Sequence, residues 1–285
     1  MTSGIFVGLS TIDLIHYVDE FPSSNTKMVA RNQVLLAGGP ATNAAISFSH
    51  LGGRATLVSP AGRHALASLL KEELARYQVE HIDLTPESDE PPPVSSVCVN
   101  RRGERSVVSV NTTRISLPAA QVEQSKLEKA RILMVDGHSM HACQAWAEAA
   151  HSRGIPVVFD GGSWKAGTDA LLGSVDTAIC SDAFRPPGCA DEDAAIEYLQ
   201  SARIHRIAIT HGADPIGTVE GLSAGHIEVP RVAAVDTTGA GDIYHGAYCY
   251  FAARGYAFVD SLREAAMVAA NSCRFRGTRE WMQTE

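Results

Sequence analysis

Short apolar runs alternate along this chain with longer segments whose apolar residues recur at helical spacing. Such alternation is typical of strands joined by helical crossovers, which form a mostly parallel sheet. It predicts an α/β fold, doubly wound, with helices on both faces of the sheet. The candidate strands are 5–9, 55–59, 132–136, 156–160, 177–180 and 206–210, and the candidate helices are 41–51, 65–77, 121–129, 141–152, 194–202, 243–253 and 259–273.

Two segments interrupt the alternation, because residues 14–36 and 94–111 carry strand-like patterns without intervening helices. The second contains Arg102-Gly103-Glu104, which is typical of a hairpin turn. Together they are expected to form a small antiparallel sheet that covers the substrate. We therefore predict one domain, residues 1–285, with a β lid formed by about 14–36 and 94–111.

Composition limits the classes of partner. The chain has 285 residues, 45% of them hydrophobic, which suffices for a large buried core. A net charge of -8 argues against nucleic acid or anionic membranes as general partners. No apolar run approaches the ~20 residues that span a bilayer, and the N-terminus lacks the features of a signal peptide. The six cysteines are scattered without a CxxC pair, which favours free thiols in a reducing cytoplasm.

The segment with the clearest chemistry reads DTTGAGDIYHG, residues 236–246, and is expected to follow a strand and open a helix. Glycines at 239 and 241 permit a sharp turn and leave the backbone amides uncovered. Amides at a helix N-terminus form an anion site. A carboxylate there repels phosphate, so Asp242 indicates a chemical role, acceptance of a proton from an attacking hydroxyl. The alternative is a glycine-rich turn in which Asp242 interacts with the helix dipole.

Two signatures together carry a family resemblance. DTTGAGDIYHGA, which begins at Asp236, resembles the C-terminal signature of the ribokinase-like (PfkB) carbohydrate kinases. GGPATNAA, residues 38–45, resembles their N-terminal signature, and the two occur in the expected order. The resemblance covers nearly the whole chain. Within the family, the GGPATNAA run and residues 27–32 look closest to the sulfofructose-kinase branch.

The resemblance implies an ATP-dependent kinase that phosphorylates a primary hydroxyl of a sugar or sugar derivative, with Mg²⁺ and, in some members, K⁺. Asp242 would be the general base. The backbone amides of Gly239, Ala240, Gly241 and Asp242 would form the anion hole. Thr237 and Thr238 would add hydroxyl donors, or alternatively cap the helix.

The resemblance also implies a sugar site that includes Asp13, Gly38, Gly39 and Asn43. Asp136, Asp160 and Arg31 are added as candidates from their places in the chain, with solvated loops as the alternative for the two aspartates. Asp13 follows the first strand, where the family places a carboxylate that accepts two sugar hydroxyls; the alternative is a turn former. Asp136 and Asp160 end consecutive strands, and ligands bind beyond such ends in parallel sheets. Arg31, with Lys27, would bind an anionic substituent, or would be a solvated lid residue or a dimer contact.

The nucleotide site is expected to include Thr210, Gly212, Thr237, Thr238, Gly239, Gly241 and Asn271. Asp236 resembles the residue that helps hold a monovalent cation in some members; the alternative is a carboxylate that caps the glycine turn. The family's Asn-x-x-Glu motif is replaced around Asp182, which is the candidate for a magnesium-linked role. A homodimer through the lid is expected, since the family often assembles there.

The departures from the family pattern motivate a second hypothesis, a catalytically weak regulator that binds nucleotide or sugar. Within the enzyme class, nucleosides and anionic sugars such as keto acids or sulfosugars are alternative substrates. A Rossmann dehydrogenase is disfavoured because no GxGxxG follows the first strand.

Overall fold

The computed structural model of the chain describes residues 1–110 and 121–283. The strands are β1 (Ser3–Val7), β2 (Thr11–Tyr17), β3 (Asn32–Gly38), β4 (Arg54–Ser59), β5 (Glu80–Asp83), β6 (Val94–Val99), β7 (Arg105–Val108), β8 (Ile132–Val135), β9 (Val157–Gly161), β10 (Thr177–Ser181), β11 (Arg206–His211), β12 (Asp214–Glu220) and β13 (Ser223–Ile227). The helices are α1 (Pro40–His50), α2 (Ala65–Arg76), α3 (Gln124–Leu127), α4 (Met140–His151), α5 (Thr168–Leu172), α6 (Glu192–Ser201), α7 (Ala240–Ala253) and α8 (Phe258–Ser272), and a 3-10 helix covers Glu280–Gln283.

The main sheet has nine strands among the described residues, in the order β13-β12-β11-β10-β9-β8-β1-β4-β5. All pairings from β5 to β11 are parallel, as the alternating pattern predicts. The strands β12 and β13 extend one edge as antiparallel neighbours. The carboxyl ends of the parallel strands therefore share one edge of the molecule, where ligands of such sheets bind.

Both faces of the main sheet are buried, which confirms the doubly wound architecture. Successive residues of a strand point to opposite faces. Phe6 and Met134 pack on the side of α1, α2, α7 and α8. Their neighbours Val7 and Leu133 pack on the other side, with α3 to α6. No helix among the described residues combines the length and apolarity that a bilayer crossing requires.

A second sheet of order β3-β2-β6-β7 stands apart from the main sheet and corresponds to the expected lid. Its outer pairs, β2–β3 and β6–β7, are antiparallel, whereas β2 and β6 are parallel. The parallel β2–β6 pair requires a long connection, which residues 18–93 between the two strands provide. Gly103, with φ +75°, lies in the β6–β7 turn where a hairpin was predicted. Residue 111, the last of the predicted lid, lies outside the described residues.

Two expectations about local structure are wrong. The helix expected over 121–129 is confined to α3, a single turn. The strand expected before Asp236 is absent, since residues 228–235 form an irregular segment. Pro230 has no amide to donate to a strand ladder, and Val232 and Val235 are exposed. The glycine-rich turn therefore enters α7 from a surface loop.

Candidate active site

The N-terminus of α7 presents the glycine-rich turn to an open space. Gly239 precedes the helix with a left-handed φ of +69°, and a Cβ there would lie 2.4 Å from Thr278 Cγ2. Gly241 is already helical, and no described atom lies within 4 Å of where its Cβ would be. Gly241 and Asp242 are the second and third helical residues, whose amides have no partner within a helix. The amides and the open space fit a bound phosphate.

The residues just before α7 are joined to the β6–β7 hairpin. Arg105 Nη1 donates to the Thr237 carbonyl at 2.5 Å, and the Thr237 hydroxyl lies 3.5 Å from the Gly103 carbonyl. The Ala240 amide donates to the same Thr237 carbonyl at 3.3 Å, so it is less available to an anion than its neighbours. The Thr238 hydroxyl is buried and has no hydrogen-bond partner among the described residues. Of the two threonines, Thr238 is therefore the better candidate for a phosphate contact.

Asp242 lies partly buried at this helix start. Asn43 Nδ2 donates to Asp242 Oδ2 at 2.7 Å. Burial and, second, the charge of Asp160 raise the pKa of Asp242 to about 7, against the lowering effects of Asn43, His245 and Arg105. A carboxylate with a pKa near neutrality can both accept and release a proton, which suits a general base.

Asp160 lies behind Asp242 at the end of β9, next to a histidine that the sequence reasoning missed. His245 Nε2 is 3.6 Å from Asp160 Oδ1 and 3.1 Å from the Ile179 carbonyl, while Nδ1 is 2.7 Å from the Gly241 carbonyl. Burial is the main cause of the raised pKa of Asp160. The fold thus brings Asp160 close enough to Asp242 for its charge to raise the pKa of that carboxyl, and the contact of Asp160 with sugar stays a prediction.

Asp13 and Gly38 are diagonal neighbours in the β2–β3 pair of the small sheet, where Asp13 pairs with Leu36 and Gly38 with Thr11. Thr11 Oγ1 donates to Asp13 Oδ1 at 2.6 Å, and burial is the largest cause of the raised pKa of Asp13, opposed by hydrogen bonds from Thr11 and Ser95. A Cβ on Gly38 would lie 2.0 Å from Asp13 Oδ2. Glycine at 38 is therefore required by the Asp13 carboxylate itself.

Gly39 and Asn43 lie on the turn into α1. Gly39 has φ +96°, and its Cβ would lie 2.4 Å from the Leu9 carbonyl. The buried amide of Asn43 binds two charged side chains, since its oxygen accepts from Arg279 Nη1 at 2.9 Å and its nitrogen donates to Asp242. The side chain predicted to bind sugar hydroxyls thus also contacts Asp242, the residue predicted to be the base.

Asp136 is placed differently from the other predicted sugar ligands. Its Oδ2 accepts from the amides of Leu9 and Ala41 at 2.8 and 3.2 Å, and its Oδ1 accepts from the His138 amide at 2.9 Å. A Cβ on Gly8 would lie 2.0 Å from Oδ1. The carboxylate therefore joins β1, α1 and the loop after β8, and any role in sugar binding stays a prediction.

Two of the predicted nucleotide residues, Thr210 and Gly212, lie at the end of β11. The Thr210 hydroxyl donates to the Cys180 carbonyl at 3.3 Å, and the Asp182 amide donates to the Thr210 carbonyl at 3.0 Å. Gly212 has φ +66°, and its Cβ position is open to 4 Å within the described part of the chain. Asn271 lies on α8, and its contact with adenine stays a prediction.

Asp236 joins three parts of the site. Its Oδ1 accepts from the Thr238 amide at 2.8 Å, and its Oδ2 accepts from Tyr17 Oη at 2.7 Å and the Gly277 amide at 2.8 Å. Burial, followed by the charge of Asp236, raises the pKa of Tyr17. The bond to the Thr238 amide agrees with the alternative that Asp236 caps the glycine turn. Oδ2 already accepts two hydrogen bonds, which does not fit ligation of a cation by that oxygen. The described residues include no cluster of three His, Cys, Asp or Glu side chains able to hold a metal.

Arg31 binds within the lid in this structure. Its Nε is 3.0 Å from Asp19 Oδ1, and its Nη2 donates to the Val18 carbonyl at 2.9 Å. Arg101 binds the same Asp19 carboxylate at 2.7 Å. These contacts agree with the solvated-lid alternative, and a role for Arg31 toward an anionic substrate stays a prediction.

Two buried charged residues next to the site were missed by sequence reasoning. Arg279 and Glu73 lie 2.6 Å apart between Arg279 Nε and Glu73 Oε1. The signal for Glu73 was available, because it follows Leu70 by three positions and precedes Leu74 on the buried face of α2. Arg279 follows the last long helix and carries no periodic signal.

Known proteins place the whole chain in one group. The sequence model of the pfkB family carbohydrate kinases matches residues 1–285. A ribokinase of Haemophilus influenzae is 22% identical over 98% of this chain and 94% of its own length. A ketohexokinase of Mus musculus is 24% identical over 96% of this chain and 96% of its own length.

Solved structures share the fold from end to end. A putative ribokinase from Agrobacterium tumefaciens superimposes with a TM-score of 0.81 at 20% identity, over 100% of this chain and 99% of that one. Arabidopsis thaliana ribokinase complexed with ribose and ATP gives a TM-score of 0.78 at 18% identity, over 100% and 99% of the two chains. The resemblance to the sulfofructose-kinase branch stays a prediction.

Proposed function

The chain belongs to the PfkB family of carbohydrate kinases, the ribokinase-like ATP-dependent sugar kinases, and on that premise we propose that it transfers the γ-phosphoryl group of ATP to a primary hydroxyl of a sugar or sugar derivative. The observation that carries the proposal is the place of Asp242. It stands in the first turn of α7, beside amides suited to phosphate, and it is hydrogen-bonded to Asn43 on the predicted sugar site. The Asp242 carboxylate therefore lies between the proposed phosphate site and the predicted sugar site.

Asp242 accepts the proton of the attacking hydroxyl. Only its ionised form can do so, and with a pKa of about 7 that form becomes dominant as the pH rises above neutrality. The Asn43 amide hydrogen bond favours the ionised form and fixes the direction of the carboxylate. Deprotonation at the moment of attack raises the nucleophilicity of the hydroxyl without requiring a strong base in solution.

The α7 N-terminus stabilises the charge that develops on the transferred group. The donors are the amides of Gly239, Gly241 and Asp242, with a smaller share from Ala240 because Thr237 accepts from its amide. The open space in front of Gly241 admits phosphate oxygens close to the backbone. Donors already in place lower the barrier because they need not reorganise during the reaction.

Magnesium neutralises phosphate charge in such transfers. When bound, the ion would supply this charge neutralisation beside the phosphates, where protein sites for Mg²⁺ use few carboxylates. Asp182, exposed just beyond β10, is the proposed carboxylate for a water of that ion. Thr210, Gly212, Thr238 and Asn271 are proposed to complete the nucleotide site.

The sugar site is proposed to lie between the main sheet and the lid. Asp13 accepts hydroxyl donors from the sugar, and Asn43 has a second amide hydrogen for the same purpose. Gly38 and Gly39 bring the backbone close to the sugar. Asp160 is proposed to belong to the same site, since its charge acts on the pKa of Asp242 and its carboxylate lies 3.6 Å from His245 Nε2.

The substrate is proposed to be a sugar of the size that ribokinases and ketohexokinases act on, because relatives of those names match over nearly the whole chain. Nucleosides, keto acids and sulfosugars are the alternatives. Arg31 would favour an anionic substrate only if its bond to Asp19 opens. A screen for ADP release over all these classes tests both the reaction and its substrate.

The matched variants for that screen are Asp242→Asn and Asp260→Asn. Asp260 also lies in the first turn of a helix, but it is exposed and bound to Arg263. We expect Asp242→Asn to lower turnover by roughly 10²–10⁴-fold while ATP still binds, because the general base is lost. Asp260→Asn is expected to match the wild type. A rate above about a third of wild type in Asp242→Asn would exclude it as the base.

A homodimer through the outer face of the lid is part of the proposal. Leu14 pairs with Leu35 and Ser96, and Ser96 pairs with Val108, so Leu14, Leu35 and Val108 share one face. Val108 is 74% exposed on that face. An exposed apolar sheet face favours association with a second copy. Sedimentation velocity of the wild type and Val108→Lys tests it, since a monomer in both would remove the proposal.

A further inference from the structure

A buried ion pair lies beneath the sugar side of the site. Arg279 is only 4% exposed and Glu73 only 9%, and they come from the C-terminal segment and from α2. Removing two charges from water is costly, and such a pair is weak support for stability. The contacts of the Glu73–Arg279 pair indicate a role other than stability.

Most hydrogen bonds of the pair lead to the site, apart from one from Arg279 Nη1 to the Thr278 carbonyl at 3.2 Å. Besides Glu73, the Arg279 guanidinium donates to Asn43 Oδ1 at 2.9 Å and to the Ala37 carbonyl at 2.8 Å. Glu73 Oε2 accepts from the Ala37 amide at 2.6 Å. Ala37 directly precedes Gly38, against which Asp13 packs. The pair therefore fixes the end of β3 and the side chain of Asn43 together.

The chemistry of the guanidinium decides how the Asn43 amide is oriented. An asparagine side chain offers an oxygen at one end and an NH₂ group at the other, and arginine has only donors. The Asn43 oxygen must therefore face Arg279, and the NH₂ group then faces Asp242, 2.7 Å from Oδ2. The opposite orientation would set an oxygen against the carboxylate.

We propose that the Glu73–Arg279 pair is a positioning device for phosphoryl transfer, which orients Asn43 so that its NH₂ group holds Asp242 toward the acceptor hydroxyl. This inference rests on the proposed kinase function. Arg279 and Glu73 do not touch the reacting atoms in it; they act through Asn43. The charges of the pair also act on the sugar side, because burial raises the pKa of Asp13, the charge of Arg279 lowers it and the charge of Glu73 raises it.

The C-terminal segment that carries Arg279 has further contacts with the site. The Gly277 amide donates to Asp236, and the Thr278 methyl group lies against Gly239. Trp281 Nε1 donates to the Thr278 carbonyl at 3.1 Å and holds the segment in place. The position of Arg279 is thus set by the contacts of its segment with Asp236 and Gly239, as well as by Glu73.

Loss of this positioning should change the pH dependence of kcat/KM. The groups that act on Asp242 are Asp160 on β9, Asn43 on α1, His245 on α7 and Arg105 on β7. The Asn43 hydrogen bond lowers the pKa of Asp242, so a misoriented amide lets that pKa rise. The acid limb of kcat/KM should then move to higher pH, which a loss of stability alone would not produce.

The first test compares Arg279→Lys with Arg263→Lys. Lysine keeps the charge but cannot bind Glu73, Asn43 and Ala37 at once. We expect kcat to fall by about 10- to 100-fold, since a misplacement of ~1 Å has effects of this size. The KM for ATP should stay within about twofold, and the acid limb should move upward. Arg263 is exposed and paired with Asp260, so its variant should match the wild type.

The second test separates positioning from folding. A double variant, Arg279→Met with Glu73→Gln, leaves no unpaired buried charge and so avoids the large penalty of breaking one partner. If its melting temperature is near that of the wild type while kcat stays low and the acid limb stays shifted, positioning is supported. If turnover and pH profile recover together with stability, the pair is only structural and the proposal is overturned. Glu72→Gln, exposed on the same helix, is the matched control.

A third measurement does not depend on turnover. The Asp242 carboxyl is followed by ¹³C NMR titration in free protein, assigned by its loss in Asp242→Asn. The pKa of Asp242 should be higher in Arg279→Lys than in the wild type, and an unchanged value overturns the inference. If the wild type phosphorylates nothing while this shift is observed, the proposed function fails and the positioning survives. If the wild type is active and Arg279→Lys equals it in rate and pH profile, only the positioning fails.

Discussion

The most direct test of the sugar site is Gly38→Ala. An added Cβ would lie 2.0 Å from Asp13 Oδ2 and 2.2 Å from its Cγ, and contacts below 3.0 Å do not occur at real Cβ atoms. The Asp13 carboxylate must therefore move by about 1 Å. Gly38 does not adopt a left-handed φ, so the collision acts without backbone strain.

The size of the effect follows from the bonds that Asp13 is proposed to accept. A hydrogen bond to a charged group contributes about 1.5–3 kcal/mol. Losing one of the two sugar bonds would weaken sugar binding by roughly 10- to 150-fold, at about 1.4 kcal/mol for each tenfold. The KM for ATP should change little, because Gly38 lies on the sugar side of the site.

The assay is coupled ADP release with sugar varied at saturating ATP. The control is Gly173→Ala, because Gly173 has a helical φ of −61° and its Cβ would make only an ordinary 3.7 Å contact with the Ala170 carbonyl. A folded Gly38→Ala protein with an unchanged KM for sugar would refute the reasoning. Circular dichroism on heating establishes that the variant is folded.

Two further outcomes are expected. Gly241→Val should cripple turnover while calorimetric sugar binding without ATP is unchanged, because the new side chain fills the open space before α7; intact turnover would place the anion site elsewhere. Asp160→Asn removes a charge that raises the pKa of Asp242, so the acid limb of kcat/KM, expected near pH 7 in the wild type, should move to lower pH. A limb that stays in place or moves upward in Asp160→Asn would show that the two carboxylates are not coupled.

The parallel sheet could be predicted because its pattern is local. Each parallel strand of the main sheet except β5 is short and mostly apolar, and helices of recognisable period lie between most of them. The edge strand β5 reads EHID, and its polar residues gave no strand signal. The antiparallel edge strands β12 and β13 were not predicted, since their alternation includes charged and glycine residues. The strand expected before Asp236 was wrong because three valines in a loop resemble a strand when their exposure is unknown.

The candidate site likewise has features that the sequence predicted and features that only the structure shows. The glycine-rich turn, Asp242 and the GGPATNAA run are contiguous motifs, so the sequence predicted the reaction class and indicated Asp242 as the candidate to accept the proton. The sequence also indicated that the backbone at Gly38 and Gly39 leaves room for a close approach. Only the structure shows that Asp13 and Leu9 occupy the space that side chains at 38 and 39 would need.

Only the tertiary structure decided which groups act on one another. Asn43 meets Asp242 across 199 positions of the chain, and Arg279 meets Glu73 across 206. No periodicity encodes such a pair, because hydrogen bonds at this range depend on the packing of α1, α2 and α7 against the same sheet. The sequence by itself therefore determined the fold class and the chemistry of single residues, and packing decided the orientation of the Asn43 amide and the raised pKa of Asp242, because burial and neighbouring charge arise only on folding.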